Sequence, residues 1–121
     1  MRLWTTIGAL FGALAVALGA FGAHALKDSL SPEQLGWWET AVQYHALHAL
    51  ALVLFGLAVE RGRTGGIAGA LFALGIVLFS GTLYAMALGA PRWFGAITPL
   101  GGTALIAAWL LFAASAWRHG R

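Results

Sequence analysis

Four long stretches of the chain contain no Asp, Glu, Lys or Arg. They run over residues 3–26, 40–59, 64–91 and 93–117. A helix needs about 20 apolar residues to cross the roughly 30 Å hydrocarbon core of a bilayer, and each stretch is at least that long. With 60% hydrophobic residues, 9% charged residues and a mean hydropathy of +0.82, the chain lacks the polar surface of a water-soluble protein. The sequence therefore predicts an integral membrane protein whose solvent is lipid.

The predicted fold is all-α, an integral membrane four-helix bundle formed by a single domain over residues 1–121. We place the four transmembrane helices at about 4–25, 38–59, 66–88 and 97–117. The connections between them are too short for a soluble catalytic domain. Because the chain has no cysteine, disulfides, thiol catalysis and Cys-based metal sites are excluded.

The second helix is predicted to begin before its membrane span. Ser31 has the character of an N-cap, Pro32 suits the first helical position, and Gln34 completes a capping box. Residues 32–38 would then form an interfacial helical segment that continues into the span. Thr98, followed by Pro99, is predicted to cap the fourth span in the same way.

The first span carries small residues at spacings of three and four: Gly8, Gly12, Ala15, Gly19 and Gly22. Such a stripe predicts close approach of a neighbouring helix. Arg2, the apolar run and the sequence Ala23-His24-Ala25 also resemble a signal peptide with its cleavage site. The apolar run is longer than a usual signal core, however, so we expect a retained first helix.

The basic residues predict the orientation of the bundle. Five arginines flank span ends on one side: Arg2, Arg61, Arg63, Arg118 and Arg121. Lys27 and Arg92 lie on the other side. Since basic residues near span ends favour the cytoplasm, both termini are predicted to be cytoplasmic. This distribution also explains the pI of 10.2 without a nucleic-acid partner.

Aromatic residues near the span ends predict two interfacial belts. Tryptophan prefers the headgroup level, where its ring is buried and its N–H stays hydrated. The predicted belt residues are Trp4, Trp37, Trp38, Trp93 and Trp117.

Polar side chains concentrate in the outer half of the predicted bundle, away from the termini. The candidate polar cluster consists of His24, Gln43, Tyr44, His45, His48, Ser80, Thr82, Tyr84 and Thr98. Unpartnered polar groups in lipid cost several kcal/mol each, so these side chains must face one another or water. On the second helix, Thr40, Tyr44 and His48 share one stripe at i, i+4 spacing.

Three interpretations of this cluster stay open. It is either a sealed hydrogen-bond network that fixes helix register, or a polar cavity that binds or transports a small ligand or lipid, or a haem or metal site. His45 and His48 are spaced i, i+3, and His24 would approach from another helix. HxxH alone is a weak metal signal, and no carboxylate lies on the same face, so we predict neither metal nor cofactor.

The sequence shows no catalytic constellation. It contains no H-E-x-x-H motif, no phosphate-binding loop and no recognisable nucleophile with its base. The acidic residues lie at or beyond the span ends, which also argues against a pump with a carboxylate in mid-membrane: they are Asp28, Glu33, Glu39 and Glu60. We therefore predict a protein that is not an enzyme.

Four segments resemble a known family. Residues 19–26 (GAFGAHAL), 40–50 (TAVQYHALHAL), 79–84 (FSGTLY) and 95–102 (GAITPLGG) are similar to the YgdD/YwdK-like family, domain-of-unknown-function family 423. The resemblance covers essentially the whole chain. It implies a small four-span protein of the bacterial inner membrane, and it supplies no activity, substrate or catalytic residue.

These observations predict a small multi-pass inner-membrane protein of uncharacterised function that acts without catalysis, through lipid or protein partners. The expected partners are membrane lipids and, because the helices expose small residues, a second copy of the chain in a homo-oligomer. The alternative is a minimal transporter or ligand-binding unit with a polar cavity in the outer half. A haem or metal binder is the lesser alternative.

Overall fold

A computed structural model describes residues 2–60 and 66–119 of the chain. Within these residues, four helices are long and apolar enough to cross a membrane. They are α1 (Leu3–Phe21), α2 (Pro32–Glu60), α3 (Ile67–Ala87) and α4 (Thr98–His119). The predicted all-α, four-helix membrane fold is thus confirmed. Arg61, Arg63 and Arg121, on which the predicted orientation depends, lie outside the described residues.

Two short helical segments of different pitch join the long helices at one end of the bundle. A π-helical segment, Gly22–Leu26, continues α1, and a 3₁₀ segment, Arg92–Ala96, precedes α4. The end of α3 is closed by Gly89, whose φ of +110° is open to glycine and strained for other residues. We call this end, which holds both connections, the loop end of the bundle.

The start of α2 has the predicted capping box. The Ser31 backbone N–H donates to Gln34 Oε1 at 3.0 Å, and the Gln34 N–H donates to Ser31 Oγ at 3.2 Å. Two N–H groups that the first turn leaves without helical partners are thereby satisfied. Nearby, Arg92 bridges to Glu33 at 2.7 Å and lies 5.5 Å from the centre of the Trp37 ring, which ties the 3₁₀ segment to α2.

The chain packs in sequence order, with α1 on α2, α2 on α3 and α3 on α4. In the apolar windows of α2 and α3, 39% and 44% of the residues are buried, against 17% in α1 and 17% in the fourth helical segment. The second and third helices are therefore central, and α1 and α4 present most of their surface to lipid.

Glycines set the closest helix contacts. A Cβ atom on Gly8 would lie 2.8 Å from the Val53 backbone nitrogen, and one on Gly56 would collide with the Thr5 backbone. On α4, a Cβ on Gly101 would collide with the backbone of Phe79. The predicted close approach of a neighbouring helix to the small-residue stripe is confirmed at Gly8, Gly19 and Gly22, where the neighbour is α2. A Cβ on Gly12 would meet nothing within 4 Å.

Aromatic rings fill the bundle towards the termini. Phe55 and Phe72 are fully buried, and the Phe72 ring meets the Trp109 ring edge-on at 5.3 Å. Phe55 meets Phe112 edge-on at 5.4 Å. Leu52, Ile76, Leu105 and Ala108 complete this part of the core. We call Phe55, Phe72, Trp109 and Phe112 the aromatic layer.

Candidate functional site

Six of the nine predicted polar residues meet between the helices. They lie nearer to the loop end of the bundle than the aromatic layer. We call them the polar layer: His45, His48, Ser80, Thr82, Tyr84 and Thr98. Four of them, His45, His48, Ser80 and Thr82, are buried, with exposed fractions of 2%, 4%, 1% and 8%. Their hydrogen bonds determine what the layer can do chemically.

His48 lies between α2 and α4. Its Nδ1 is 2.7 Å from the Tyr44 carbonyl oxygen, and Trp109 Nε1 donates to its Nε2 at 3.0 Å. A carbonyl only accepts and an indole N–H only donates, so His48 is neutral with its proton on Nδ1. Both ring nitrogens are occupied, which leaves no lone pair for a metal or haem iron.

His45 connects α2 to α3. Its Nδ1 is 2.8 Å from the Tyr84 hydroxyl, and its ring lies edge-on to Phe11 of α1 with 5.9 Å between ring centres. Within the described residues, its Nε2 has no hydrogen-bond partner. His45 thus joins three helices through one hydrogen bond and one ring contact.

Hydroxyl groups join α3 to both of its neighbours, α2 and α4. Ser80 Oγ donates to the Ala41 carbonyl at 2.8 Å, across the contact of α2 with α3. Thr82 Oγ1 is 2.6 Å from the Leu78 carbonyl and 2.6 Å from Thr98 Oγ1, so Thr98 donates to Thr82 and Thr82 donates to Leu78. The predicted capping role of Thr98 is wrong, because Thr98 is already the first helical residue of α4 and its hydroxyl bonds to Thr82 on α3.

Three predicted members of the cluster lie elsewhere. His24 is exposed on the π segment, Gln43 is exposed on α2, and Tyr44 is 43% exposed. Tyr44 contributes its backbone carbonyl to His48, while its ring packs against Phe79 at 4.5 Å. Gln43 and Tyr44 lie outside the polar layer because the inward stripe of α2 consists of Ala41, His45, His48, Leu52 and Phe55. His24 lies outside it because the π segment exposes its side chain.

Two tryptophans have roles that the sequence interpretation missed. Trp109 was not predicted to join the polar groups, although an indole N–H in the middle of a membrane span needs an acceptor and is a usable signal. Trp38 was predicted in the headgroup belt, but it is 3% exposed and donates from Nε1 to the Leu18 carbonyl at 3.0 Å. Gly22 makes this possible, because a Cβ there would collide with the Trp38 indole.

The other belt residues divide into two groups. Trp93 and Trp117 are 63% and 70% exposed, in keeping with a surface position. Trp37 is partly buried beneath Arg92. Trp4 packs inward instead, since a Cβ on Gly69 would lie 2.6 Å from its ring.

A cleft of about 460 Å³ opens between α1 and α2 at the loop end. We call it the outer cleft. Gly19, Gly22 and Ala23 form one wall, and Lys27 stands at the end of that wall. The α2 wall consists of Leu35, Trp38, Glu39, Val42 and Gln43. The cleft therefore has an apolar floor with one cation, one anion and one amide around it.

A second, apolar depression of about 280 Å³ follows the same helix pair towards the termini. We call it the small-residue groove. Its α1 wall consists of Gly8, Ala9, Gly12, Ala15 and Val16, and its α2 wall of Ala46, Ala49, Leu50 and Val53. Neither wall carries a polar side chain.

The described residues contain no cluster of side chains that is suited to bind a metal ion. Within 2–60 and 66–119, no three His, Asp or Glu side chains come close enough together to hold one. The lesser alternative of a haem or metal site therefore gains no support from the positions of His24, His45 and His48.

A family model described as "Protein of unknown function (DUF423)" matches residues 18–102, which include the outer cleft and the polar layer. The chain belongs to the DUF423 family. Among its relatives, a UPF0382 membrane protein of Staphylococcus haemolyticus is 44% identical over 98% of both chains. YwdK of Bacillus subtilis, a UPF0382 membrane protein, is 43% identical over 98% of this chain and 99% of its own length.

The DUF423 relatives also include YgdD of Escherichia coli strain K12, a UPF0382 inner membrane protein. It is 40% identical over 99% of this chain and 93% of its own length. With its four apolar helices, the DUF423 chain is thus a multi-pass protein of the bacterial inner membrane. No solved structure matches the chain.

Proposed function

We propose that this chain is a membrane component without enzymatic activity, and that it acts by binding membrane lipid in the outer cleft. One observation carries the proposal: Lys27 and Glu39 flank a cleft, and a second, apolar depression lies below it on the same helix pair. The charged residues of the cleft match a phospholipid headgroup, and the apolar residues of the groove match its acyl chains.

The depth of the cleft agrees with a headgroup site. Helix α2 has 29 residues, which is about 43 Å of helix at 1.5 Å per residue, against a hydrocarbon core of about 30 Å. Its first turns therefore extend into the headgroup region. Glu39 lies about 10 Å from the start of α2, near the boundary between headgroups and hydrocarbon.

The polar layer supports a structural role over a chemical one. Its hydroxyls and both histidine Nδ1 atoms bond to one another or to backbone carbonyls, and Trp109 of the aromatic layer donates to His48 Nε2. Among the described residues, His45 Nε2 is the buried side-chain atom of the layer without a partner. Such bonds are worth about 0.6 kcal/mol each in a bilayer, so their main effect is to fix the register of the helices. A transporter would need these groups to face water or a substrate during part of its cycle.

Native mass spectrometry of protein released from its own membranes tests lipid binding. The informative variant is Ala23→Phe, which places a ring in the cleft from an exposed position on the π segment. Ala20→Phe is the matched control, because Ala20 is also exposed and lies at the end of α1, close to Ala23 in the chain but outside the cleft.

We expect the wild-type chain and Ala20→Phe to retain bound phospholipid, and Ala23→Phe to retain several-fold less. Equal retention by the two variants would move lipid binding away from the cleft. A wild-type chain that carries no phospholipid above the level of detergent exchange would contradict the proposed function altogether.

A further inference from the structure

We propose that the outer cleft selects a phospholipid whose headgroup carries both a phosphate and a primary ammonium. This proposal rests on lipid binding in the cleft and specifies its ligand. In the assignment, Lys27 binds the phosphate, Glu39 binds the ammonium, and one acyl chain follows the small-residue groove.

The charges of the cleft match a zwitterion. Lys27 and Glu39 are exposed on different walls, and within residues 2–60 and 66–119 the structure records an ion pair for neither of them. A phosphate at Lys27 and an ammonium at Glu39 would neutralise both. A headgroup that carries only negative charge would satisfy Lys27 and be repelled by Glu39.

The acceptors of the cleft favour a primary amine over a quaternary one. Glu39 and Gln43 are four residues apart on α2, so their carboxylate and amide oxygens lie on one face. A primary ammonium can donate up to three hydrogen bonds to such oxygens, whereas a quaternary ammonium donates none.

Quaternary ammonium groups are instead held by open aromatic faces. The aromatic residue of this cleft is Trp38, and it is only 3% exposed. Its ring packs against Tyr84 with 4.7 Å between ring centres and against Phe21 with 6.2 Å. Since the bundle covers this ring, the cleft lacks the aromatic cage that choline headgroups need.

The small-residue groove lies below the outer cleft on the same pair of helices. Ala9 and Val16 of the groove and Ala23 of the cleft are spaced by seven residues on α1. Glu39 of the cleft and Ala46 and Val53 of the groove repeat that spacing on α2. Positions seven apart share a helix face, so both depressions lie on one side of the α1–α2 contact.

The length of this path suits a lipid tail. From Ala9 to Ala23 the axial rise is about 21 Å, which is more than half of the roughly 30 Å hydrocarbon core. Gly12 lies midway, and a Cβ there would meet nothing within 4 Å. The groove therefore has open space at the depth that an acyl chain from the outer cleft would reach.

The first test changes the lipid and leaves the protein intact. Wild-type protein in detergent is titrated with dioleoyl phosphatidylethanolamine, its mono- and dimethylated forms, phosphatidylcholine and phosphatidylglycerol, and bound lipids are counted by native mass spectrometry. We expect affinity to fall with each methyl group, by about fivefold in total, the effect of a partly exposed charged hydrogen bond. Phosphatidylglycerol is expected to bind more weakly than phosphatidylethanolamine.

The second test changes single residues. Glu39→Gln is expected to abolish the preference for phosphatidylethanolamine over phosphatidylcholine, and Asp28→Asn, which removes an exposed charge outside the cleft, is expected to preserve it. Lys27→Gln is expected to weaken binding of all these lipids, and Lys27→Arg to restore most of it.

Gly12→Leu tests the tail path without touching a charge, and Gly81→Leu is its control on α3, at another glycine with open space beside it. We expect Gly12→Leu to lower the affinity for every lipid and Gly81→Leu to leave it unchanged. Equal effects of the two substitutions would contradict the assigned path of the acyl chain.

The outcomes separate this inference from the proposed function. Equal affinity for phosphatidylethanolamine and phosphatidylcholine, with binding lost in Ala23→Phe, overturns the headgroup assignment and leaves lipid binding in the cleft supported. Absence of saturable binding for every lipid overturns both. A graded loss along the methylation series that Glu39→Gln removes supports both.

Discussion

The polar layer and the aromatic layer occupy neighbouring depths of one bundle and hold it together by different means. In the polar layer, hydrogen bonds join α2 to α3 and α4, as between His45 and Tyr84 and between His48 and Trp109. In the aromatic layer, Phe55 and Phe72 are fully buried and are held by apolar contacts with other rings and with aliphatic side chains. Trp109 of the aromatic layer connects the two, since its ring packs on Phe72 and its N–H bonds to His48.

The two layers contribute differently to the stability of the bundle and to the specificity of its helix register. Lipid tails are as apolar as a phenylalanine side chain, so helix association in the membrane depends on dispersion at close contact and on modest hydrogen bonds. A ring can make good contacts in several helix registers, whereas a bond such as Ser80 to the Ala41 carbonyl forms in one. We therefore infer that the aromatic layer provides most of the stability and the polar layer selects the register.

The largest effect is expected for Phe72→Ala. It removes a fully buried ring that contacts Phe55, Trp109 and Phe112, and such truncations cost about 3 kcal/mol in protein cores. The measurement is reversible unfolding of the chain in bicelles, followed by tryptophan fluorescence. Leu74→Ala, at a 51% exposed position of the same helix, is the control and should cost well under 1 kcal/mol. Similar losses from both substitutions would show that the aromatic layer has no special weight.

A smaller effect is expected for His48→Phe. The substitution keeps a ring but leaves the Trp109 N–H without its acceptor, at a cost of about 1.5 kcal/mol. A double-mutant cycle with Trp109→Phe isolates the hydrogen bond, because the double variant has no unpaired donor. The double variant should therefore lose less stability than the sum of the two single variants. Strict additivity would mean that the bond contributes nothing.

The hydroxyl bond between α3 and α4 should contribute less again. Thr82→Val removes it with almost no change of shape, and we expect a loss of about 0.6 kcal/mol. Thr103→Val is the control, since the exposed Thr103 hydroxyl bonds within its own helix, to the Pro99 carbonyl. If register selection is the role of the polar layer, cross-linking between α3 and α4 should show more than one helix alignment in Thr82→Val and a single one in Thr103→Val.

The smallest effect is expected outside both layers. Arg92 and Glu33 form their bridge with side-chain exposures of 77% and 57%, where such pairs are worth about 0.5 kcal/mol. Arg92→Gln should therefore change unfolding little, and the change should vanish at high salt because exposed pairs are screened. An effect as large as that of Phe72→Ala would mean that the loop end, and not the aromatic layer, limits stability.

The helices were predictable from the sequence because apolar length and capping are local properties. The Ser31 and Gln34 capping box is one example, and the two hydrogen bonds form as predicted. The composition of the polar layer was predicted less well, because it depends on how far each helix rotates about its axis. A rotation of 100° separates Tyr44 from His45, and only the packed bundle shows that His45 points inward while the Tyr44 side chain is largely exposed.

The outer cleft was not predictable from residue types. Lys27 and Glu39 were recognised only as charges near span ends. Their arrangement around one cleft follows from the π segment Gly22–Leu26 and from the burial of Trp38 against Gly22. Trp38 itself was assigned to the headgroup belt because nothing local to it reveals that the helix opposite has a glycine at the matching depth.

The measurement that tests the account most directly is thiol accessibility in membranes. Since the chain has no cysteine, single substitutions give an unambiguous label. Ser29→Cys reports on the exposed loop end, and Ser80→Cys reports on the polar layer, where Ser80 is 1% exposed. We expect a water-soluble thiol reagent to modify Ser29→Cys rapidly and to modify Ser80→Cys only after unfolding. Comparable rates at the two positions would show that water reaches the polar layer, which contradicts a sealed network and favours the transporter alternative.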